Sequence, residues 1–73
     1  MKRFRKLRGK LVEAGITQQE LGYHIGRNYQ SVNARMNDRL SWSLAEMYQT
    51  LDLLHIPHDQ LHIYFPKDGK DPS

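Results

Sequence analysis

The apolar positions of the chain fall into short groups with helical spacing, separated by residues that start and stop helices. Phe4, Leu7, Leu11 and Ala14 follow at intervals that lay them on one stripe of a first helix, which Gly15 ends. Leu21 and Ile25, four apart, share the buried face of a second helix. Thr17 precedes them as an N-cap, and Glu20 three residues on closes a capping box, so that helix starts at Gln18. Gly26 follows Ile25 directly, where a left-handed backbone ends a helix without a Cβ clash. Asn28 then caps a third helix whose inward residues are Val32 and Met36, and Gly22 leaves room for it to approach around Val32. Ser43 with Glu46 forms another capping box, opening a fourth helix with Leu44, Met47, Leu51 and Leu54 on one stripe and Glu46 and Asp52 on its outer side.

Pro57 suits a first-turn position and Asp59 favours the positive helix end, which predicts a short fifth helix within 56–65 with Ile56 and Leu61 turned inward. The pattern predicts an all-α fold: one domain over 1–65, then a polar, flexible tail over 66–73. Trp42, in the loop before the fourth helix, reads as a packing residue because its large apolar area favours burial. The exit Ile63, Tyr64 and Phe65 carries more apolar surface than so short an element hides, so a homodimer contact through Tyr64 and Phe65 is expected.

The stretch 17–37 looks like the centre of the design. On the third helix Tyr29, Gln30, Ser31, Asn33 and Ala34 lie outside the buried stripe, a run of small and hydrogen-bonding side chains with no acid among them. Such a face suits a DNA major groove: Gln and Asn bond bidentately to adenine, and a small apolar group touches a thymine methyl. The opening Thr17-Gln18-Gln19-Glu20-Leu21-Gly22, with Gly26 in the turn, Val32 in the next helix and Asn37 just after it, resembles the helix-turn-helix of Cro and lambda-repressor-type (Xre-like) regulators. The likeness spans roughly 4–65 and is strongest to short phage-type Cro-like proteins.

That resemblance implies a five-helix lambda-repressor-like domain in which the residue at Gln18 contacts phosphate and often a neighbouring base-reading side chain. It implies a phosphate contact at Asn37 and base reading at Tyr29, Gln30 and Ala34. Asn33 joins the base-reading candidates, and Lys6, Arg27, Asn28, Ser31 and Arg39 join the phosphate candidates. The chain departs from the pattern at Arg27 and Arg35, where apolar residues are usual, and at Asp38, where Gly is usual; Met36 is expected to take the core role left by Arg35. The implied activity is sequence-specific binding of double-stranded DNA by a small repressor-like regulator. The competing reading is a protein-interaction module, an antirepressor or partner subunit, that keeps the fold without specific DNA binding.

Charge sharpens this picture. The net +3 divides unevenly: residues 1–40 carry nine Lys/Arg against three acids, +6, and residues 41–73 carry two against five, −3. A basic half holding the third helix fits a polyanion, since each phosphate neutralised releases counterions. The cations of the first helix would lie along the DNA backbone. The chain has no Cys, which removes disulfides and thiolate metal sites and fits a reducing cytoplasm. Neither a membrane span nor a signal-peptide core is expected, because the apolar runs are too short. His55, His58 and His62 lack a recognised ligand spacing, so surface histidines are expected, with no metal or other cofactor. Ser31, Ser41 and Ser43 have no positioned base, and a domain of 73 residues offers little concavity, so neither an enzyme nor a small-molecule substrate is expected.

Overall fold

The computed structural model describes residues 3–66. Five helices follow in order: α1 Arg5–Ala14, α2 Gln18–Ile25, α3 Tyr29–Met36, α4 Leu44–Leu53 and α5 Leu61–Tyr64, the last entered through a 3-10 turn at His58–Gln60. The fold is all-α, with no strand among the described residues, and no helix there is long and apolar enough to cross a membrane. Of the tail expected over 66–73, residues 67–73 lie outside the described residues.

The helix ends are set by local chemistry. Thr17 accepts from the Glu20 N–H while the Glu20 carboxylate accepts from the Thr17 N–H, and Ser43 and Glu46 repeat this arrangement in front of α4. Asn28 accepts from the Ser31 N–H at 2.8 Å and so caps α3. Gly15 and Gly26 close α1 and α2 with φ of 72° and 74°. Asp38, standing where the resembled pattern has Gly, itself adopts φ 60°, a conformation that aspartate tolerates better than most side chains.

α2 packs against both α3 and α4, while α5 closes against α1 and α4. Leu7, Leu21, Val32, Met36 and Leu51 are fully buried at the centre, each contributing about 1.5–3 kcal/mol of burial. Phe4, Trp42 and Phe65 form an aromatic cluster, with ring centroids 6.2, 6.2 and 5.0 Å apart in edge-on or tilted pairs. Trp42 is thus the packing residue its size suggests.

Four expectations are corrected. Phe65 belongs to this core and is 8% exposed, so the exit aromatics do not jointly form outer surface; Tyr64 is half-buried. Leu44, at the first position of α4, points outward, whereas Glu46 and Thr50 face in. Thr50 satisfies its hydroxyl on the Glu46 carbonyl at 2.8 Å, and Glu46 finds partners described below. Ala14 is exposed at the end of α1.

Candidate nucleic-acid interface

α2, the turn at Gly26 and α3 form one unit whose geometry depends on contact at Gly22. The Gly26 and Arg27 N–H groups both donate to the Gly22 carbonyl, and a Cβ at Gly22 would lie 2.5 Å from the Arg27 carbonyl oxygen and 3.2 Å from Val32 Cγ2. The absence of a side chain there lets the start of α3 sit directly on α2. Val32 and Met36 hold α3 to the core from its inner side.

The outward side of α3 presents Tyr29, half exposed, and Gln30, exposed, followed by Asn33 and Ala34, half-buried. None of these is acidic. Tyr29 and Asn28 also line a groove of about 350 Å³ with Gln19, Tyr23 and Arg27.

The phosphate candidates separate into two groups. Gln18 and Asn37 are brought together through Asn33, a base-reading candidate: Asn33 Nδ2 donates to Gln18 Oε1 at 3.3 Å, and Asn37 Nδ2 donates to Asn33 Oδ1 at 3.2 Å and to the Asn33 carbonyl at 2.9 Å. Gln18 is thus hydrogen-bonded to Asn33, one of the candidates for base reading. Arg8 joins them from α1, donating to Asn37 Oδ1 at 3.2 Å, the Met36 carbonyl at 3.0 Å and the Arg3 carbonyl at 2.8 Å. It ties the last turn of α3 to α1. Lys6 and Arg39 are exposed, and neither is ion-paired among the described residues.

Arg27 and Ser31 are engaged elsewhere. Arg27 Nε donates to Glu46 Oε2 at 2.8 Å and Arg35 Nε donates to Glu46 Oε1 at 3.2 Å. Arg35 also donates to the Ser31 carbonyl at 3.0 Å and to the Ser31 hydroxyl, and Asn28 Oδ1 is occupied in capping. Burial pushes the Glu46 carboxyl up, but the Ser43 N–H and the two guanidinium groups outweigh it and bring its pKa from 4.5 down to about 2. Arg27 and Arg35, two of the three departures from the resembled pattern, thus share one buried carboxylate that the helical spacing places outside the core. Met36 is fully buried in the core. Arg27 retains a half-exposed side chain but is held by Glu46.

Residues 2–68 match a family described as a protein of unknown function, DUF739. The chain belongs to that family. No curated protein and no solved structure matches it. In this DUF739 chain the three histidines show no metal-holding arrangement: His58 stacks on Tyr48 and meets Asp52 at 2.6 Å, and no cluster of potential ligands occurs among the described residues.

Two participants escape sequence reasoning. Glu46 carries no positional mark of burial, because its partners come from other elements. Arg8 looks like any of the basic residues around it, and only its reach to the end of α3 distinguishes it.

Proposed function

We propose that the chain binds double-stranded DNA sequence-specifically, as a small Cro/repressor-like transcriptional regulator acting in the cytoplasm, with α3 in the major groove. The observation that supports this most directly is the outward side of α3: acid-free, amide-bearing, and braced by α2 on one side and Arg8 on the other. Tyr29, Gln30, Asn33 and Ala34 are the base-facing set. Gln18, Asn37, Lys6 and Arg39 are the phosphate contacts this reading favours, with smaller parts for Arg27, Asn28 and Ser31. Two copies on an approximately palindromic site place their α3 helices about 34 Å apart. Contact between the copies would draw on Tyr64 rather than on the buried Phe65.

Selection of bound duplexes from a random pool tests the reading, since a recovered motif reports specificity, symmetry and spacing together. Gln30→Ala is expected to cost about 1–3 kcal/mol on the preferred duplex and to flatten preference at one position per half-site. An unchanged profile would remove Gln30 from the base-reading set. Lys6→Ala is expected to weaken all duplexes equally and to reduce the slope of log affinity against log salt by about 0.9, the loss of one phosphate contact. Absence of retardation on mixed duplexes even at low salt would instead favour the interaction-module reading.

A further inference from the structure

We infer that Asn33 is a specificity-determining residue that selects adenine, its carboxamide being turned in one direction by a hydrogen-bond chain that starts at Arg8. This rests on the DNA-binding role proposed above and adds which base the residue takes and why.

A side-chain amide has a donor end and an acceptor end of nearly identical shape, so an isolated Asn can present either. Here the choice is forced. The Arg8 guanidinium has only donors, so the Asn37 atom facing it is Oδ1. Asn37 must therefore turn Nδ2 toward Asn33, where it meets both the main-chain carbonyl and Oδ1. Asn33 in turn directs Nδ2 at Gln18 Oε1. Reversing any amide in the chain sets donor against donor or acceptor against acceptor.

Each atom of the Asn33 amide keeps unused capacity: one hydrogen on Nδ2 and one lone pair on Oδ1. Adenine offers the complement on its major-groove edge, the N7 acceptor beside the N6 donor. Guanine offers two acceptors and would face the Asn33 oxygen with O6. Cytosine offers only a donor. Because Arg8, Asn37 and Gln18 already fix the amide, little of its orientation remains to be ordered on binding.

Duplex selection on the wild type, Asn33→Asp and Arg8→Met provides the test, with melting curves on each protein to establish that it is folded. The wild type should recover a motif containing an adenine that Asn33→Asp loses, its preference there falling roughly 5- to 150-fold and turning toward cytosine, because a carboxylate only accepts. Preferences at the other positions should stay. Arg8→Met should relax discrimination at that same position. An Asn33→Asp motif identical to the wild-type motif, or a loss spread evenly over all positions, would overturn the inference while leaving DNA binding standing. A wild type that recovers no motif would overturn both.

Discussion

Glu46→Gln is expected to cost about 3 kcal/mol of folding stability, a fall of roughly 12–24 °C in Tm for a domain of this size. The carboxylate is 6% exposed at the side chain and faces Arg35, itself 11% exposed. Glutamine keeps the shape and part of the hydrogen bonding but leaves a nearly buried guanidinium without its counter-charge, the costly half of a broken ion pair. Arg27, half exposed, can recover much of its loss in water and adds little to the total.

The same carboxylate sets an acid limit on stability. Its pKa is about 2 in the folded chain against 4.5 as the ordinary value. A depressed carboxyl stabilises the fold fully above the unfolded value and loses that contribution as pH falls from about 4.5 through 2; the gap corresponds to about 3 kcal/mol. Chemical denaturation across pH 7 to 2 should show a steep decline in the wild type below about 4.5 and a shallower one in Glu46→Gln. Parallel declines would mean that other carboxyls carry the acid sensitivity.

Gly22→Ala is expected to be the most damaging single methyl group in the α2–α3 unit. Alanine is the better helix former by about 1 kcal/mol, so an open site would gain stability. Here the new Cβ lies 2.5 Å from a main-chain oxygen, which cannot rotate aside as the tip of a flexible side chain does. The start of α3 must retreat, loosening Val32 from the core. We expect a net loss of about 2 kcal/mol, within the usual range for overpacking. Under the proposed DNA-binding function, any folded fraction should also bind duplex more weakly, because the retreat changes the angle at which α3 leaves α2. Unchanged stability in urea titration would show that the two helices separate at no cost.

Most of the helical frame was legible in the chain itself. Thr17, Asn28 and Ser43 mark helix starts through bonds to residues three positions on, and Gly15 and Gly26 mark ends through their own backbone freedom. These are local signals and survive without knowledge of the fold. The misreadings concern faces whose partners are distant in sequence. Spacing put Leu44 inward and Glu46 outward, whereas two arginines from before and within α3 made the acid the better buried residue. Phe65 read as surplus apolar surface because nothing near it in sequence announces that Phe4 and Trp42 converge on it. Of the candidate interface, the exposed edge of α3 was legible from periodicity, and the part played by Arg8 in bracing it was not, since it lies in contacts to residues 28 and 29 positions away.

The aromatic cluster has a practical corollary. Trp42 is the protein's one tryptophan, and it touches one ring from the amino-terminal end of α1 and another from the exit of α5. Indole fluorescence is therefore a built-in optical reporter of both ends at once. Trimming the polypeptide back past Phe4, or past Phe65, would disturb the same emission band, so a single fluorimeter trace can map how short the domain can be cut before its two extremities come apart.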